Sequence, residues 1–113
     1  MKSMGCDIGS LFSKAVIMDG ERLLASRVIE TTGNIAGNIE GLLEALCKEA
    51  GMDPESLDGI VGTGSGAEFV EDADFLEDEI ACIGWAARCF LPDVELVVDI
   101  GGQDCKVMAL NDK

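Results

Sequence analysis

The chain has 113 residues, 48% of them apolar, and a formal net charge of −14 with no histidine. That length allows one domain at most, and the apolar share is enough for a packed core, which excludes wholesale disorder. A charge this negative repels phosphate backbones and anionic lipid, so neither nucleic acid nor a membrane is an expected partner.

Residues 3–8 read as a short apolar strand ending at Asp7 and Gly9. After a Gly9-Ser10 turn, Lys14 to Met18 is rich in β-branched residues, Asp19-Gly20 is a hairpin signal, and Leu23 to Glu30 is a third strand. The period then changes. Ile35, Ile39, Leu42, Leu43, Leu46 and Ala50 fall on one helical face, with Asn34 placed as N-cap and Gly51 as the stop. Asp53-Pro54 opens a turn, Leu57 to Thr63 reads as a fourth strand, and a G-S-G loop follows. The segment 68–79 carries seven carboxylates and is expected to face solvent, with helical periodicity returning from Asp78 to Phe90. Val94 to Asp99 is apolar on both faces, which predicts a strand central in a sheet, and Cys105 to Leu110 makes a last strand. With four Phe, one Trp and no Tyr, the core is expected to be aliphatic. The order β-β-β-α-β-α-β-β predicts a mixed sheet of five to six strands with helices on both faces, an α/β fold.

The five cysteines form no C-x-x-C and have no histidine partner, so no zinc or dithiol motif is read. Their odd number, and the lack of a charged-then-apolar leader, predict a reducing, cytoplasmic setting.

One short pattern occurs twice: Asp7-Ile8-Gly9-Ser10, and Asp99-Ile100-Gly101-Gly102 near the other end. Each places a carboxylate at the end of an apolar strand directly before glycine, which permits close approach to the backbone. Such a turn presents amide N–H groups to an anion, as phosphate-binding nests do. The carboxylate suits Mg²⁺, usually through water. Lys14, seven residues after Asp7, is placed to return along the second strand toward a phosphate. Ordinary hairpin chemistry competes with nucleotide binding as a reading of these turns.

The strings D-I-G-S-x-x-S-K, G-T-G-x-G, E-I-x-C and L-P-x-V-x-x-V-V-D-I-G-G-Q-D-x-K, in that order over nearly the whole chain, resemble the activator family of 2-hydroxyacyl-CoA dehydratases and benzoyl-CoA reductases. The resemblance implies a ribonuclease H-like half of the ATPase fold shared by actin, chaperones and sugar kinases. It implies ATP with Mg²⁺ as cofactors and, in the family, a 4Fe–4S cluster held between the two subunits of a homodimer. It also implies ATP hydrolysis coupled to low-potential electron transfer toward a partner dehydratase or reductase acting on a CoA ester. By the same resemblance Asp7, Gly9, Ser10 and Lys14 form the first phosphate motif, and Asp99, Gly101, Gly102, Gln103 and Asp104 the second. Asp7 and Asp99 organise Mg²⁺, and Asp104 and Gln103 are candidates for orienting water or metal, so that the catalytic set is Asp7, Asp99 and Asp104.

The chain departs from the pattern at several points. Leu11 stands where the family usually has Thr, Gly62 to Ala67 lacks a Tyr and an Arg, and Ile83 replaces a His. None of the five cysteines matches the cluster ligands, and Cys82 is expected to be a core thiol and Lys106 a solvated strand residue. The 94–113 segment corresponds to the first hairpin of a second lobe and is expected to pack on the one sheet or to exchange with a second copy. The leading expectation is therefore an N-terminal domain or truncated relative of such an activator, not competent as an ATPase alone. A non-catalytic interaction module with the same fold, and a half-domain of a small-molecule kinase, stay open beside it.

Overall fold

A computed structural model describes residues 1–101 and 105–111. The chain divides into two compact units, Met1–Leu76 and Glu77–Lys113.

The first unit is a five-stranded mixed sheet with the order β3-β2-β1-β4-β5. Its strands are β1 (Lys2–Ile8), β2 (Phe12–Asp19), β3 (Arg22–Glu30), β4 (Gly59–Thr63) and β5 (Phe75–Leu76). The first three form the antiparallel meander read from the sequence. Gly20 at the β2–β3 turn has φ +60, the left-handed value a tight hairpin needs and glycine supplies at little cost. A register shift at Ile17/Met18 adds a bulge to β3. Helix α1 (Ile35–Glu49) then carries the chain across, and β4 joins β1 in parallel.

Helix α1 starts and stops where side-chain chemistry dictates. Asn34 accepts a hydrogen bond from the Gly37 amide, and Gly51, at φ +70, ends the helix. Ile39, Leu42 and Leu46 turn inward onto Met4, Cys6, Ile8, Ala15 and Ile17, which alternate along β1 and β2. Each fully buried aliphatic side chain of this kind contributes about 1.5–3 kcal/mol. The core is aliphatic, as the composition predicts, and the aromatics are outside it. Phe12, Phe69, Phe75, Phe90 and Trp85 are all exposed. The opposite face of β1 and β2 carries Asp7 and Lys14, and α1 does not cover it.

Two of the acidic residues of 68–79 do more than face water. Asp74 accepts from the Ile60 amide at 2.7 Å and donates its own amide to the Ile60 carbonyl, closing the free side of β4. Asp78 caps the next helix by accepting from the Ile80 amide at 2.8 Å.

The second unit holds α2 (Glu79–Phe90) and a two-stranded antiparallel sheet of β6 (Leu96–Ile100) and β7 (Cys105–Ala109). Here the structure departs from the sequence reading. The apolar run of 94–99 predicts a central strand, yet among the described residues β6 pairs with β7 alone. Burial alternates along it instead. Val97 and Asp99 are half-buried, whereas Leu96, Val98, Ile100 and, on β7, Val107 are exposed. An apolar outer face reports a strand able to be covered twice; it does not guarantee a neighbour on each side. Lys106 also differs from expectation. Its side chain is only 23% exposed and its Nζ lies 4.0 Å from Glu79 on α2, so it is not a solvated strand residue. Cys82, expected in the core, is half-buried on α2.

Candidate functional site

The first Asp-Ile-Gly turn is assembled by register. In the β1–β2 ladder Asp7 stands opposite Lys14 and Ile8 opposite Ser13. Ile8 and Ser13 turn into the core, which leaves Asp7 and Lys14 side by side on the other face. Lys14 Nζ lies 3.5 Å from Asp7 Oδ2, with both side chains a little under half exposed. A pair this open to solvent contributes roughly 0–1 kcal/mol to stability, so its geometry matters more than its energy.

The turn itself is held at three points. The Gly9 amide donates to the Phe12 carbonyl at 2.9 Å, and the Thr31 amide donates to the Leu11 carbonyl at 2.9 Å. The hydroxyls of Ser13 and Thr31 share a hydrogen bond of 2.7 Å beneath it. Ser13 is a buried polar side chain, and this bond removes the cost of burying an unpaired hydroxyl. Ser10 and Leu11 remain exposed at the tip. Gly9 is required by space: a Cβ there would stand 2.8 Å from the Phe12 carbonyl oxygen and 3.6 Å from Lys14 Nζ.

A second loop closes on the same carboxylate. Thr63 pairs with Asp7 across the parallel β1–β4 ladder. Beyond it the chain crosses the end of β1, and the Gly66 amide donates to the Ile8 carbonyl at 2.9 Å. The sequence reading takes Gly62 to Ala67 as a loop after a strand and as a motif of the family resemblance, but gives it no contact with Asp7 or Ile8, so this contact was missed. The spacing of its glycines was the available signal, since a strand followed by several glycines marks close backbone approach.

In the second unit, Asp99 stands opposite Lys106 in the β6–β7 ladder, repeating the Asp7–Lys14 register with the same spacing. Asp99 is half-buried, and Gly101 follows the strand end in an exposed position. Gly102, Gln103 and Asp104 lie outside the described residues. The structure therefore brings Asp7, Gly9, Ser10 and Lys14 together in one unit and places Asp99 and Gly101 together in the other.

Among the described residues no group of three or more His, Cys, Asp or Glu stands close enough to hold a metal. Asp7, at a strand end with its side chain a little under half exposed, fits the habit of Mg²⁺, which takes one or two protein carboxylates and fills its remaining positions with water and phosphate oxygens. The cysteines do not form a cluster cradle. Cys6 and Cys47 are core residues of the first unit. Burial pushes the Cys6 thiol up to about 12, and burial followed by the charge of Asp53 raises Cys47. Both changes oppose the thiolate that iron would need.

The five-stranded order with a helical crossover defines the ribonuclease H-like sheet of the actin-type ATPases. A solved structure of the activator of the 2-hydroxyisocaproyl-CoA dehydratase from Clostridium difficile, with bound ADPNP, superposes on this chain with a TM-score of 0.88 at 36% identity. The match covers 99% of this chain and 42% of that one. The (R)-2-hydroxyglutaryl-CoA dehydratase component A of Acidaminococcus fermentans gives a TM-score of 0.89 at 29% identity, over 99% of this chain and 44% of that one. In sequence, the 2-hydroxyisocaproyl-CoA dehydratase activator of Clostridioides difficile is 37% identical over 112 residues, which are 98% of this chain and 42% of the relative.

Residues 4–113 match the BadF/BadG/BcrA/BcrD ATPase family, and the chain belongs to it. It spans less than half the length of the relatives it matches. No helix among the described residues is long and apolar enough to cross a membrane.

Proposed function

We propose that this chain is the N-terminal, phosphate-binding part of an ATP-dependent activator that drives low-potential electron transfer to a CoA-ester dehydratase or reductase. The observation that carries the reading is the Asp7–Lys14 pair, 3.5 Å apart across a glycine turn, in a fold shared with an ADPNP-bound activator. Amides of Gly9 and Ser10 and the ammonium of Lys14 meet phosphate oxygens. Asp7 holds the water shell of the Mg²⁺ that neutralises them. By the family resemblance Asp99, Gly101, Gly102, Gln103 and Asp104 are the second phosphate motif, with Asp99 as the second metal-organising carboxylate and Asp104 and Gln103 directing water. Hydrolysis then depends on positioning and charge stabilisation rather than on a covalent step. The domain assignment follows: residues 1–113 form one ribonuclease H-like lobe, with 94–113 as the first hairpin of a second. A homodimer and a cytoplasmic setting complete the reading, and turnover needs more than this chain.

Calorimetric titration with Mg·ADPNP tests it. The expected result is weak binding that disappears in Asp7→Asn. A flat titration at millimolar nucleotide refutes nucleotide binding by this chain.

A non-catalytic interaction module is favoured by one observation, the exposed apolar outer face of Leu96, Val98, Ile100 and Val107. Under that reading the titration is flat and the fold intact.

A further inference from the structure

We propose that Gly64 is a positioning residue for Asp7, and that the Gly62–Gly66 loop is the second wall of the first phosphate site. The family resemblance gives this loop no role in holding the carboxylate; the contact comes from the geometry.

Gly64 sits at φ +92, a left-handed value that an L side chain rarely adopts. Conformation is the lesser constraint. A Cβ at Gly64 would stand 2.5 Å from the Ile8 carbonyl oxygen and 2.6 Å from Asp7 Oδ1. The space a methyl group would need is occupied by the carboxylate itself. The loop is also anchored there, because the Gly66 amide donates to the same Ile8 carbonyl at 2.9 Å, and a Cβ at Gly66 would meet Ile8 Cγ2 at 2.6 Å.

The two oxygens of Asp7 therefore have different neighbours. Oδ2 faces Lys14 Nζ at 3.5 Å, and Oδ1 faces the bare Cα of Gly64. Rotation of the carboxyl group is limited on one side by an ammonium and on the other by backbone. A carboxylate held in this way presents a fixed direction to the water shell of a cation. Positioning of that kind affects affinity without contact to the cation.

Gly20 is the control. Its φ is +60, so alanine there meets the same kind of conformational strain, yet a Cβ at Gly20 has nothing within 4 Å. A shift of the Asp7 resonance in Gly64→Ala that Gly20→Ala lacks points to the crowding of Asp7 and Ile8.

The metal arm of the test rests on the nucleotide reading; the resonance arm does not. In the nucleotide-free protein, the carboxyl carbon resonance of Asp7 is assigned by its loss in Asp7→Asn and followed in both glycine variants. Gly64→Ala is expected to move it and Gly20→Ala to leave it in place. With nucleotide present, Gly64→Ala is expected to weaken the Mg²⁺ dependence of binding by roughly 10- to 100-fold, as loss of an outer-shell support does. An unmoved Asp7 resonance in folded Gly64→Ala, or an unchanged Mg²⁺ dependence of nucleotide binding, overturns the proposal. Absence of nucleotide binding by the unsubstituted chain refutes the functional reading and leaves the resonance arm decisive. Should Gly64→Ala fail to fold, Asp7→Asn keeps the question open to measurement. It is expected to shift the Gly64 amide resonance, and an unchanged Gly64 amide overturns the proposal.

Discussion

Lys14 Nζ and Asp7 Oδ2 stand 3.5 Å apart because an antiparallel ladder sets residue 7 directly opposite residue 14. The sheet creates this pair, since neither side chain needs the other to hold its strand in place. It follows that removing Lys14 should cost function and spare the fold. Lys14→Met is expected to change unfolding free energy by under about 1 kcal/mol, as for any exposed ion pair. Mg·ADPNP affinity should fall by roughly tenfold or more, because a hydrogen bond to a charged group is worth about 1.5–3 kcal/mol. Chemical denaturation and calorimetry on the same variant separate the two quantities. Equal losses in both would place Lys14 in the scaffold.

Gly9→Ala attacks the turn from within. The new methyl group must displace the Phe12 carbonyl, which is also the acceptor that closes the turn through the Gly9 amide. A destabilisation of about 1 kcal/mol is expected from the lost hydrogen bond. Nucleotide binding should fall further than in Lys14→Met, since every donor of the turn moves with its backbone.

The buried thiols give the chain an alkaline limit. Burial lifts Cys6 from its ordinary 9.0 to about 12, so the protonated thiol is the form the core accepts. Its contribution is complete below pH 9 and is lost as pH rises toward about 12, up to about 4 kcal/mol in all. Cys47 is raised in the same direction by burial and then by Asp53, and adds to the trend. Denaturant midpoints measured from neutral pH upward should fall more steeply in the natural sequence than in Cys6→Ala. At neutral pH, Cys89 and Cys105 should react promptly with a thiol reagent, and Cys6 and Cys47 only on unfolding. Prompt labelling of Cys6 would contradict its place in the core.

Two substitutions on α1 calibrate the scaffold. Leu46 is fully buried against the sheet, and Leu46→Ala should cost about 2–5 kcal/mol, the usual range for a lost core leucine. Asn34→Ala removes the cap on the Gly37 amide and should cost about 1 kcal/mol. Thermal or denaturant melts of the two variants check both numbers. A larger loss from the cap than from the core would mean that α1 is held by its end and not by its buried face.

The sequence made the scaffold legible wherever a local rule decides. The Asp19-Gly20 hairpin, the Asn34 cap and the Gly51 stop are all set by side chains within a few residues. Asp7 and Lys14 were legible for the same reason, since seven residues around a tight turn return to the same register. Contacts between distant segments were not. Nothing local tells Gly64 that it will lie on Asp7, because β4 reaches β1 only after α1 has crossed the sheet. Composition also misled at β6. An unbroken apolar run looks the same whether its second face has a neighbour or not, and Val98 and Ile100 are exposed. Asp74 and Asp78 were read as surface charge, although one secures a strand and the other begins a helix.

Within its sheet β1 is bonded on both sides, to β2 along its full length and to β4 along most of it, whereas among the described residues β6 and β7 pair only with each other. Amide exchange should follow that difference. Protons on Cys6 to Ile8 should leave only through global opening, while those of the β6–β7 ribbon escape through local fluctuations. The carboxylate of Asp7 thus stands on a strand expected to be slow to breathe, and under the proposed reading an arriving hydrated cation would meet a group that binding need not first put in order.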